Sequence, residues 1–196
     1  TLGTSNFRAG VNAGNSIISG GNYNTLVGDE AGTAITTANN NTFIGYTAGD
    51  ATTTGNSNTA VGRLALTANT TGAENTAVGV NALYSATTGT YNVAVGNSAG
   101  GAITTGAHNT LIGGLVGDAL TTGQRNVAMG YGSLSSDTAG QRNVALGFQA
   151  LSNQNFTSST DVYNTAVGFG AGASVTTGFL NTIIGGLAGD ALTSGN

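Results

Sequence analysis

The chain has 196 residues, with 34 glycines and no proline, cysteine or tryptophan, and only 6% of it is charged, far below the roughly 25% of an ordinary soluble domain. Its net charge is −4 and its four basic residues (Arg8, Arg63, Arg125 and Arg142) are scattered, so it lacks the basic stripe that meets phosphates in nucleic-acid binders. It also lacks thiols for disulfides or thiolate metal sites, and no apolar run approaches the ~18 residues of a membrane span; neither nucleic-acid binding nor direct membrane insertion is expected. Disorder is disfavoured because 39% of the residues are apolar and are regularly placed.

Along the chain, a degenerate unit near Asn6 is followed by Asn-Thr-Ala-Val-Gly or a variant at Asn24, Asn41, Asn58, Asn75, Asn92, Asn109, Asn126 and Asn143, each step being 17 residues. One 21-residue step leads to Asn164 and a further 17 to Asn181. About eleven coils result. Glycine recurs too often for helices, where each interior one costs about 1 kcal/mol, while short β-branched runs between glycines read as strands. The fold class predicted is all-β: a parallel β-solenoid, residues 1–196 forming one repeat domain of a longer fibre protein.

The coil pattern, N-T-A-V-G-x-x-A-(G or L)-x-x-x-T-T-G-x-x, assigns its columns. Position four is always aliphatic (Val27 to Ile184) and is expected to face the interior. Position three (Leu26, Phe43, Ala60, Ala77, Ala94, Leu111, Ala128, Ala145, Ala166, Ile183) then points the other way. Its lack of polar residues suggests a second buried surface, an oligomer seam. The alanine column at position eight suits a thin coil, and glycines at positions five and fifteen suit turns with positive φ. The opening Asn is expected to form an internal amide ladder.

Position nine compensates position three. Beside bulky Leu26, Phe43, Leu111 and Ile183 it is Gly32, Gly49, Gly117 and Gly189; beside alanine it is Leu66, Leu83, Leu134 or Leu151. Ala94 with Gly100 and Ala166 with Gly172 are exceptions. Shared space explains the trade. A higher unit of four coils repeats the Gly-Asp-Ala at 49–51, 117–119 and 189–191, and the four extra residues of the long step fall in 152–163, predicted to bulge as a surface loop.

The runs NTAVGVNAL (75–83), NTAVGRLAL (58–66) and NVALGFQAL (143–151), joined by TTG, resemble the head repeats of trimeric autotransporter adhesins of the YadA type; similar runs occur in phage tail fibres and related surface fibres. The resemblance implies a left-handed parallel β-roll, a homotrimer, and attachment to a host glycan or matrix protein from an extracellular, cell-surface or virion location.

No cofactor, metal site or catalytic residue is predicted, and the chain is expected not to be an enzyme. Asp50, Asp118 and Asp190 share a column but lie four coils, on the order of 19 Å, apart. His108 is the only histidine, with no partners in the sequence for a hydrolytic triad. The last coil position holds Tyr91, His108, Arg125, Arg142 and Tyr163 in five consecutive coils. That aromatic–basic stripe is the candidate ligand-binding site, for an acidic glycan or peptide; the plainer reading is a variable solvated column. Thr-Thr-Gly ranks raise ice binding as an alternative, testable by thermal hysteresis. Both chain ends stop within the repeat, so neighbouring domains or head-to-tail contacts are expected.

Overall fold

The protein is described by a computed structural model covering residues 3–195. Thirteen strands run in chain order: β1 (Phe7–Ala9), β2 (Thr25–Val27), β3 (Thr42–Ile44), β4 (Thr59–Val61), β5 (Thr76–Val78), β6 (Val93–Val95), β7 (Thr110–Ile112), β8 (Val127–Met129), β9 (Gly140–Gln141), β10 (Val144–Leu146), β11 (Thr160–Asp161), β12 (Thr165–Val167) and β13 (Thr182–Ile184). Eleven of them form one parallel sheet in sequence order; β9 and β11 pair separately. This is a parallel β-solenoid of about ten turns with no helix among the described residues. Every step is in register, Ala60 beside Ala77 and Ala77 beside Ala94, and the 21-residue step keeps Ala145 beside Ala166.

The opening asparagine fixes which way each strand faces. Asn41, Asn58, Asn92, Asn109, Asn126, Asn143 and Asn164 are fully buried. Each side-chain oxygen takes the backbone N–H of the next coil's asparagine, as Asn75 Oδ1 accepts from Asn92 N at 3.0 Å. The Asn92 amide also donates to Asn75 Oδ1 at 3.2 Å and Gly106 O at 2.9 Å. The ladder crosses the long step, Asn164 N donating to Asn143 Oδ1 at 3.2 Å. In a strand, residues one and three share a face. Position three therefore points inward, where Leu26, Phe43, Leu111 and all six alanines are fully buried. Position four points out: Ile44, Met129 and Ile184 are 38%, 46% and 69% exposed. This reverses the expected facing. The third-position column from Leu26 to Ile183 lies in the core of one chain and cannot be a seam between chains.

The opposite wall of the core comes from position eight (Ala31, Ala48, Ala65, Ala82) and position twelve (Ile35, Ile103, Leu120, Val175), all fully buried. The first threonine of each Thr-Thr-Gly binds the next coil: Thr53 Oγ1 donates to Thr70 O at 3.0 Å and Thr70 Oγ1 to Thr87 O at 3.0 Å. The second, as in Thr54 and Thr88, is exposed.

The glycines obey two different demands. At position five both apply: Gly62 has φ +140, and a Cβ there would lie 2.5 Å from Gly79 O. At position fifteen φ is not positive, contrary to expectation; close approach alone excludes a side chain, since a Cβ on Gly55 would lie 2.2 Å from Gly72 O. Left-handed backbone appears instead at positions seven, nine and seventeen, often without glycine, as at Asn81 (φ 58), Leu66 (φ 55) and His108 (φ 60).

The exchange between positions three and nine runs over two coils. A Cβ on Gly49 would meet Phe43 Cε2 of its own coil at 2.3 Å, and one on Gly32, in the preceding coil, would meet Phe43 Cδ2 at 3.1 Å. Gly100 and Gly172, the two exceptions, lie under Leu111 Cδ1 (2.8 Å) and Ile183 Cδ1 (2.9 Å) of the following coil. A bulky third residue thus requires glycine at position nine in its own coil and in the one before. Leucine occupies position nine only where both neighbouring third residues are alanine.

The long step is organised by Asp137, a carboxylate at the usually apolar position twelve. Its Oδ1 accepts from Gly140 N and Phe156 N, both at 3.0 Å, and its Oδ2 from Gln154 Nε2 at 2.6 Å. Gln154 Oε1 in turn accepts from Asn164 Nδ2 at 2.7 Å. Burial raises the Asp137 pKa against these bonds. Most of 152–163 is surface, as expected, but Gln154 and Val162 are buried.

Candidate functional site

The predicted stripe is a continuous ridge. Tyr91, His108, Arg125, Arg142 and Tyr163 all have φ between 56° and 61°, and coil-to-coil bonds set their stacking, His108 N to Thr90 O at 3.0 Å and Arg125 N to Ala107 O at 3.1 Å. Four of the five side chains have partners in the ridge or beside it. The Tyr91 hydroxyl donates to Glu74 Oε1 at 3.1 Å, and that hydrogen bond raises the Tyr91 pKa. Tyr91 and His108 stack with centroids 5.0 Å apart and planes 3° from parallel. Arg142 lies 5.4 Å over the Tyr163 ring and forms an ion pair with Asp161. Asp161 lies on β11, the short strand created by the insertion. Repulsion between Arg125 and Arg142 is therefore already relieved from within, and Arg125 alone in the ridge carries a positive charge without an ion pair among the described residues.

A second exposed feature is the outer face of the long sheet. The outward residues of β2 to β8, β10, β12 and β13 are threonine or valine at position two and valine, isoleucine, leucine or methionine at position four. No charge interrupts this face over ten strands, on the order of 43 Å. An uncharged face of that extent, half threonine or valine and half aliphatic, is a candidate interaction surface.

Beyond position four, Tyr131, Phe148 and Phe169 at position six form an exposed aromatic file, with centroid spacings of 5.7 and 5.1 Å. Sequence reasoning passed over it, although the three rings recur at one coil position. Stacking sets Phe148 between the other two rings and covers one face each of Tyr131 and Phe169.

Among the described residues no group of three or more His, Cys, Asp or Glu side chains could hold a metal ion, and no helix is long and apolar enough to cross a membrane. Asp50, Asp118 and Asp190 stay in separate coils. Comparison with protein-family models, with curated proteins and with solved structures returns no match.

Proposed function

We propose that this chain is a segment of an extracellular surface fibre, an adhesin head or fibre shaft, in which three copies pack the outer faces of their sheets together. The observation that supports it is the uncharged Thr/Val and aliphatic double column. Three such faces turned towards a common axis would cover one another, while the exposed threonine rank and the position-seventeen ridge remain outside for host contact. The seam is then built from positions two and four, with the Tyr131–Phe148–Phe169 file beside it. On this reading the role is structural or adhesive, with a glycan or matrix protein as partner.

Light scattering tests the assembly. A threefold mass is expected for the native chain. A monomeric mass is expected for Val78→Lys with Val95→Lys, two outward positions whose change leaves the core intact. A native chain that is monomeric at all concentrations refutes the trimer.

One observation favours a second reading in that event. Thr59-x-Val61 and Thr76-x-Val78 place outward threonine and valine in flat ranks at the coil spacing, a regular array suited to ordering water. Thermal hysteresis in the monomeric chain would support ice binding through this face.

A further inference from the structure

Within the stack, each coil meets the next through a fixed set of bonds. Asn24 N donates to Asn6 Oδ1 at 2.8 Å, Gly28 N to Ala9 O at 2.7 Å and Gly32 N to Ala48 O at 2.9 Å. The coil at 6–23 and the coil at 181–195 each hold one half of that set without a partner among the described residues. Asn6 N, Gly10 N and Ala13 O are open on the first; Asn181 Oδ1, Ile184 O and Gly189 N are open on the second. The halves match atom for atom: Asn6 N with Asn181 Oδ1, Gly10 N with Ile184 O, and Gly189 N with Ala13 O.

Arg8 makes the match selective. It stands at position three, where every other coil carries an apolar residue. Bulky third residues lean towards the preceding coil, as Leu111 does over Gly100 and Ile183 over Gly172. Arg8 therefore leans over the open end of the core, its guanidinium donating to Gly14 O at 3.0 Å. A coil set on that end needs glycine at position nine to admit the Arg8 stem, and an acid close by to meet the charge being covered. Three coils offer both, at Gly49–Asp50, Gly117–Asp118 and Gly189–Asp190. The first two already carry the following coil, β4 or β8. Gly189 and Asp190 are exposed, and neither Arg8 nor Asp190 has an ion pair among the described residues. Column six fits as well. An added Cβ at Gly186 would meet nothing within 4 Å, which leaves Val11 the kind of shelf that Gly114 gives Tyr131.

We infer that the coil at 181–195 of one copy receives the coil at 6–23 of a second copy, joining chains head to tail into one continuous solenoid with Arg8 over Gly189 and beside Asp190. The asparagine ladder and the parallel sheet then run unbroken through the junction. Such a contact uses two different surfaces, so it does not close on itself and propagates along the axis. It stands apart from the outward strand face and does not depend on three copies packing there.

Electron microscopy of the intact chain over a concentration series tests this, because length and width report different contacts. The head-to-tail junction lengthens rods in steps of about 50 Å, one stack of coils at ~4.8 Å each, whereas packing through the sheet faces changes the width alone. Native rods of two or more units are expected, their mean length rising with concentration. Arg8→Asp and Asp190→Arg change exposed end positions and should leave the far-UV spectrum unchanged. Each sets like charges against each other at the junction and should raise the concentration needed for elongation at least tenfold. An equimolar mixture of the two variants has opposite charges at every mixed junction and should elongate again. Rods of one unit at every concentration, rods that stop at two units, elongation unaffected by either substitution, or a mixture as short as its components overturns the inference.

Discussion

The exchange between positions three and nine makes a double-mutant prediction at Phe43 and Gly49. Phe43 is fully buried, so Phe43→Ala should cost about 3–5 kcal/mol through lost burial and the cavity left behind. Gly49→Leu alone should also destabilise. Its Cβ would lie 2.3–2.6 Å from three ring carbons of Phe43, overpacking worth about 1–3 kcal/mol or more, and a non-glycine residue at φ +60 adds about 1 kcal/mol of backbone strain. Together the changes recreate the arrangement of the next coil, where Ala60 faces Leu66 at φ 55. The double variant should therefore be more stable than the sum of the single losses by roughly 3 kcal/mol, at the upper end of couplings between touching residues. Urea unfolding followed by circular dichroism, at one fixed protein concentration, supplies the four midpoints. Additivity within about 0.5 kcal/mol would refute the shared-space account.

Three further outcomes are expected. Asp137→Asn sets its new amide donor against Gln154 Nε2, whose own oxygen is committed to Asn164, and should cost about 1–3 kcal/mol at acid pH. Because burial raises the native Asp137 pKa, the folded state holds that proton more tightly than the unfolded one; the native advantage is greatest below the usual carboxylate pKa and should narrow as pH rises through the raised value, as a pH series of unfolding midpoints would reveal. Asn92→Ala removes the acceptor of Asn109 N and the donor to Gly106 O, and a loss of about 2–4 kcal/mol should appear in the same assay; a change under 0.5 kcal/mol would contradict the ladder. If the ridge recognises acidic glycans through its unpaired charge, Arg125→Ala should weaken glycan-array binding more than Arg142→Ala, whose guanidinium is held by Asp161; unchanged binding in the double variant removes the ridge as a ligand site.

The periodic Asn and Gly made the solenoid, its coil length and its register legible before any coordinates. The facing of the strands was legible too, but from the wrong column: an internal amide at position one and alternation put position three inside, whereas aliphatic character drew attention to position four. Hydrophobicity misled because Val78 and its equivalents are apolar on an outer face. The glycine–leucine trade was visible within each coil, while Gly100 and Gly172 required the direction in which Leu111 and Ile183 lean. The Asp137–Gln154–Asn164 chain was not legible, since nothing in the spacing shows which polar residues of an insertion turn inward.

The two-coil packing rule gives the repeats a grammar of succession. A coil carrying Leu66 or Leu83 tolerates only an alanine-type coil after it, whereas the coil carrying Ala94 and Gly100 can be followed by one carrying Leu111. Excising residues 75–91 would join Leu66 to Ala94 without conflict; excising 92–108 would drive Leu83 into Leu111. The block from Asn41 to His108 begins with a bulky coil and closes with a glycine coil, so copies of it can be joined end to end at no steric cost. Recombination can therefore lengthen such a chain by whole cassettes, while the loss or gain of single coils is filtered by the core itself.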